Sequence, residues 1–267
     1  SYNKESMSKV STRVSNNNLI ELAKQNYEKT QTSKIPGVIV HLPSGGKVYP
    51  KSNPCSEGIV EMRHMTAYDE DILTNGSYIK EGIVFDKLIT SLVITPGFNV
   101  DTLIEADKEW LIISARISGY GAEYPVTVKA PNGKSISETV NLNKLRPVAF
   151  ELESDENGEF DYKIDDTHTI KYRYLPASVL NNIPDDSAIS YFLSQSIRSI
   201  NENRNPDFIQ NFIRVQLTPI ESRKFRTHIR QTQPTLNLTY EFFYETTEGD
   251  MEAFQSTFPI GSDFFWI

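Results

Sequence analysis

The sequence is short of the residues on which most enzymes and metal proteins depend. It holds a single cysteine, Cys55, so it has no internal disulfide and no site built from several thiolates. Its four histidines, His41, His64, His168 and His228, are scattered, and none has a second His or Cys at metal-ligand spacing. Positive charge is scarce. Lys and Arg number 27 against 35 Asp and Glu, a net charge of −8, which argues against a broad nucleic-acid footprint and suits a chain kept soluble until it assembles. No apolar run approaches the roughly 20 residues of a membrane span. The start, Ser1-Tyr2-Asn3-Lys4-Glu5, leads into polar sequence where a secretion signal has an apolar stretch. A location in the cytosol, of the producer or of a host, is therefore expected.

Catalytic motifs are missing as well. Ser44-Gly45-Gly46-Lys47 has the look of a phosphate-binding loop, but Val48 stands where that loop needs Ser or Thr, and the upstream glycine is absent. A turn is expected there. No Gly-x-Ser-x-Gly elbow is present, and the pairs Asp69-Glu70 and Asp165-Asp166 sit where helix starts and polar loops take carboxylates. Cys55 follows Pro54 in a loop and reads as an inert thiol. The expectation is a non-enzyme without catalytic residues, bound metal or cofactor.

What is present is a chain with the patterning of an α+β fold. Residues 1–35 form a polar arm with one amphipathic patch, in which Leu19, Ile20 and Leu22 are candidates to meet a partner. Strands are expected around Val38–Leu42 and Ile59–Met65, and helices over Tyr68–Leu73 and Asp86–Ile94. A longer helix is expected from Thr102, where Thr102 and Glu105 spell a capping box and Leu103, Ala106, Trp110, Ile113 and Ile117 share a face. A β-hairpin follows, Tyr124–Val128 and Ile136–Leu142, turning at Pro131-Asn132-Gly133. The acidic stretch 151–168 is a linker or solvated hairpin. Beyond it come a strand over Thr169–Leu175 and a helix capped by Asp185 or Asp186, with Ile189, Phe192, Leu193, Ile197 and Ile200 on one face. Phe208–Val215 is helical or extended, and a strand spans Leu238–Tyr244.

The two halves resemble each other. A shift that lays Thr102 on Thr218 also lays Ile104 on Ile220, Glu105 on Glu221, Ile113 on Ile229, Tyr124 on Tyr240 and Gly133 on Gly249. The matches fall on a cap, a helix face, a strand start and a turn glycine. They predict an internally duplicated unit of strand, helices and β-hairpin, with one repeat over 36–150 and a second over 169–267. The chain ends in Phe264-Phe265-Trp266, large aromatics that must dock, either on the chain's own core beside Tyr240–Tyr244 or on a partner.

Three segments carry a family resemblance: Leu42-Pro43-Ser44-Gly45-Gly46-Lys47-Val48-Tyr49, Met62-Arg63-His64-Met65-Thr66 followed by Asp69-Glu70-Asp71-Ile72-Leu73, and Phe258-Pro259-Ile260-Gly261-Ser262-Asp263-Phe264-Phe265-Trp266. Together they resemble the baseplate hub and hub-assembly proteins of T4-type contractile-tail phages. The resemblance implies a late structural protein of the viral tail baseplate, or a factor needed for baseplate hub assembly, in the host cytoplasm during assembly; a place in the virion baseplate is the alternative it leaves open. Its partners would be other tail proteins. Two further readings are a tail-assembly chaperone absent from virions and a tail-associated cell-wall hydrolase. Relatives often carry Cys-Pro-x-Cys-Gly knuckles that suggest zinc. Here the corresponding positions are Lys129 and Asn132 in one hairpin and Glu245 and Glu248 in the other, so the resemblance implies degenerate, knuckle-like hairpins without metal ligands.

Overall fold

The computed structural model describes residues 37–258 together with Glu21, Lys24, Ile260 and residues 262–265. Residues 1–38 and 39–267 cluster as two compact units. In the first, Glu21 and Lys24 are helical and exposed; Leu19, Ile20 and Leu22 lie outside the described residues, as does Trp266. The second unit has the expected α+β class, with helices packed on several small sheets.

Strand β1 (Gly37–His41) pairs with β2 (Ile59–Arg63). Short helices α1 (Glu70–Leu73) and α2 (Gly76–Glu81) lead to α3 (Val84–Leu92). Val84, Leu88, Ile89 and Leu92 recur at helical spacing on α3 and are its buried face. The residue after it, Val93, bridges Met62 of β2. Next come α4 (Glu105–Tyr120) and the antiparallel hairpin of β3 (Glu123–Lys129) and β4 (Ser135–Asn141). Along β3, buried Tyr124, Val126 and Val128 alternate with exposed neighbours, the period-2 signature of a half-buried strand.

The second half has its own strands, helices and hairpin. Strands β5 (Phe160–Lys163) and β6 (Thr169–Tyr172) pair antiparallel. The acidic stretch is thus the hairpin alternative, with a strand inside it. After α5 (Ala177–Leu180), helix α6 (Ala188–Ser196) gives way to β7 (Ile197–Ile200), which sets Ile197 opposite Tyr172 of β6. This is the relation Val93 has to Met62. Helix α7 (Pro206–Val215) follows, and α8 (Pro219–Thr232) precedes the hairpin of β8 (Thr239–Glu245) and β9 (Met251–Thr257).

Three local expectations are corrected. The helix expected to run to Ile200 stops at Ser196, because the β-branched Ile197 and Ile200 complete a sheet with β6. Neither Asp185 nor Asp186 caps it; both sit in a 3₁₀ turn, and the cap position is Ser187, which makes no side-chain cap bond. Helix α4 begins at Glu105, not just after Thr102, and the Thr102–Glu105 box does not form. Leu103 stays extended, buried, and its carbonyl accepts from Ala177 N at 2.9 Å across the seam between the halves. Val148 N donates to Thr235 O at 3.2 Å at the same seam, and buried side chains of both halves form one core.

Candidate assembly site

The loop between β1 and β2 carries the first of the three diagnostic segments, and its geometry explains the residue types. Gly46 has a positive φ of 79°, and a Cβ there would lie 2.4 Å from Ser56 O and 2.5 Å from Cys55 O. The loop therefore closes backbone on backbone, which only glycine permits. The closed loop aims Ser44 and Tyr49 at the first turn of α4. Ser44 N donates to Asp107 Oδ1 at 3.0 Å, and Ser44 Oγ and Tyr49 Oη donate to Oδ2 at 2.6 Å each. Tyr49 Oη in turn accepts from Ile104 N at 3.1 Å. In an ordinary capping box the third helical residue reaches back to the cap N–H directly. Here a tyrosine hydroxyl from a distant loop is interposed.

This cluster is sealed. Ser44, Asp107 and Cys55 are each 0% exposed. Burial raises the Asp107 carboxyl despite its three hydrogen bonds, and burial followed by Asp107 raises the Tyr49 phenol. Burial followed by Asp107 also pushes the Cys55 thiol up to about 12, so it stays protonated and unreactive. The Ser44, Tyr49 and Asp107 side chains thus have a structural task. The Ser-Gly-Gly-Lys segment is a turn, as expected, and its lysine pairs with Glu153 at 2.7 Å.

Phe264 and Phe265 pack on the first half, and among the described residues none of their ring contacts is with Tyr240–Tyr244. The Phe265 ring lies 5.6 Å from Phe85 and 6.0 Å from Tyr120, and Phe264 lies 4.9 Å from Tyr124. Arg116 of α4, fully buried, ties this corner together. Its guanidinium donates to the carbonyls of Gly121, Glu123 and Phe264 at 2.7, 3.1 and 3.1 Å. The Phe264 and Phe265 rings are both buried in their own chain. Sequence reasoning missed Arg116. Its only signal was a charge among the apolar residues of α4.

The two long hairpins lie side by side, and Asn132 Nδ2 reaches Glu245 O at 3.4 Å. The residues at the knuckle positions do not fit zinc, since Lys129 and Asn132 offer no thiolate or imidazole and Glu245 and Glu248 supply only carboxylates. Among the described residues no group of three or more His, Cys, Asp or Glu is placed to hold a metal ion. Nor is any described helix long and apolar enough to cross a membrane.

A family model described as T4 bacteriophage base plate protein matches residues 35–253. The chain belongs to this family. No curated protein and no solved structure matches it. The matched range takes in the Ser44 loop, Asp107, Arg116, the first hairpin and the second as far as residue 253, so the family match covers the Ser44–Tyr49–Asp107 network.

Proposed function

We propose that this baseplate protein is a component of the baseplate hub, or a factor needed to assemble it, and that it acts by binding other tail proteins rather than by catalysis. The family match over residues 35–253 carries the reading. The sealed Ser44–Tyr49–Asp107 cluster supports the non-catalytic part, because a reactive group needs access to its substrate. Residues that resemble a catalytic set are spent on closing a loop and starting a helix.

The test is to tag the chain, recover it from phage-infected cells and identify what is bound. Stoichiometric tail or baseplate proteins are the expected result; their absence at low and moderate salt overturns the proposal. Mass spectrometry of purified virions then separates a resident hub subunit from an assembly factor that leaves. Cell-wall hydrolysis by the pure chain, abolished by one point substitution, would restore the enzyme reading.

A further inference from the structure

A cleft of about 500 Å³ opens at the seam between the halves, beside the outer face of the Ser44 loop. This is within the roughly 300–1,000 Å³ of ligand-binding pockets. Its lining carries three arginines against two carboxylates, Asp101 and Glu159. Arg173, Arg198 and Arg204 all line it, in a chain whose net charge is −8. Only Arg204 has a carboxylate partner: it pairs with the buried Glu159 at 2.8 Å. Arg198 is exposed and forms no ion pair among the described residues. Arg173 Nε is buried without a hydrogen-bond partner among the described residues. A buried guanidinium donor without an acceptor is costly. Burial, and then the charge of Arg198, hold the Arg173 guanidinium below the usual arginine range. Two like charges held together at a cleft wall, one with a free donor, form an acceptor-seeking site.

We propose that this cleft receives an acidic peptide segment of a neighbouring protein, whose carboxylates pair with Arg173 and Arg198. The proposal deepens the reading that the chain works by protein binding. A peptide is favoured over a lone anion because the cleft is long enough to be lined from Val48 to Arg204, and the accessible Pro50 and Pro176 on its wall offer apolar surface to side-chain stems. A neighbour is favoured over a second copy because two chains of net charge −8 repel.

The experiment uses the full chain, a fluorescein-labelled oligoglutamate peptide and the matching oligoglutamine peptide as probes. The chain is expected to bind the oligoglutamate and not the oligoglutamine, more weakly as salt rises. Arg198→Gln, at an exposed position, should keep the wild-type melting temperature and weaken binding about tenfold, the order of one charge-assisted hydrogen bond. Lys129→Gln, exposed on β3, should leave binding unchanged. Equal binding of both peptides, or equal weakening by Lys129→Gln, overturns the proposal. So does inorganic phosphate that binds as tightly as oligoglutamate, which would make the cleft a free-anion site. Failure here is distinct from failure of the proposed function. If the wild type and Arg198→Glu recover the same tail proteins from infected cells, the cleft reading falls and the baseplate role stands.

Discussion

The two long helices that precede the hairpins start in opposite ways. Helix α8 solves its N-terminus locally. Thr218 Oγ1 accepts from Glu221 N at 3.2 Å, Glu221 Oε2 accepts from Thr218 N at 3.0 Å, and Pro219 takes the first turn where its missing N–H is no loss. Helix α4 aligns with α8 in sequence, yet it starts two residues later along the alignment and takes its cap from Tyr49 and Ser44, the latter 63 positions upstream of Asp107. The aligned position in α8 is Arg223, which is exposed. The same kind of helix is thus self-sufficient in one half and bound to a distant loop in the other. A local cap forms with the helix itself, while a distant one forms only when the loop has closed. The start of α4 therefore depends on the closed loop that carries Ser44 and Tyr49.

The strongest test of that contrast is Asp107→Ala. It strands the Ser44 amide, the Ser44 hydroxyl and the Tyr49 hydroxyl in a sealed site. The expected loss is about 3–5 kcal/mol, from three buried donors left unsatisfied at roughly 1–3 kcal/mol each, read as a shift in urea midpoint. Thr218→Ala, which removes the local cap of α8, should cost only about 1 kcal/mol. Equal costs for the two would sink the distinction.

Phe265→Ala tests the other long-range tie to the first half. Its ring packs on Phe85 and Tyr120, so truncation should cost about 3–5 kcal/mol. A variant that melts like the wild type but no longer joins tail proteins would instead make Phe265 a partner anchor that leaves the core on assembly.

The legible and illegible parts of the sequence divide along the same line. The α+β class, both long hairpins and the α8 cap were readable because each rests on near neighbours: alternating Tyr124, Val126 and Val128, turn glycines at 133 and 249, and Thr218 with Glu221. The Thr102–Glu105 pair carried the same local signal and misled, because Leu103 is held extended by its bond to Ala177. Ile197 and Ile200 continued a helical stripe until β6 offered them a sheet. The Asp107 network was invisible because nothing in the residues around Asp107 names Ser44 or Tyr49 as its partners. Arg116 was missed for the same reason: all three of its acceptors are backbone carbonyls, which leave no mark on residue type.

The smallest expected effect sharpens the comparison one turn further along. Glu109 of α4 aligns with Phe225 of α8, which is fully buried. The first half thus places a carboxyl where the second places a core aromatic. Glu109 lines a cavity of about 350 Å³ with Glu105, and no Lys or Arg is among the lining residues. Desolvation first, then the charge of Glu105 and a hydrogen bond with it, push Glu109 up to about 7. A carboxyl whose pKa is raised on folding favours the protonated form in the native state. Its contribution is complete below the unfolded value of about 4.3 and is lost as pH rises through 7. The full shift would be several kcal/mol, but the group is only half-buried and screened by solvent, which brings the expected effect below about 1 kcal/mol. Glu109→Gln fixes the neutral state. The variant should melt with the wild type at pH 5 and above it at pH 8, with the gap opening between. A gap of the same size at both pH values would assign the effect to packing and not to the proton.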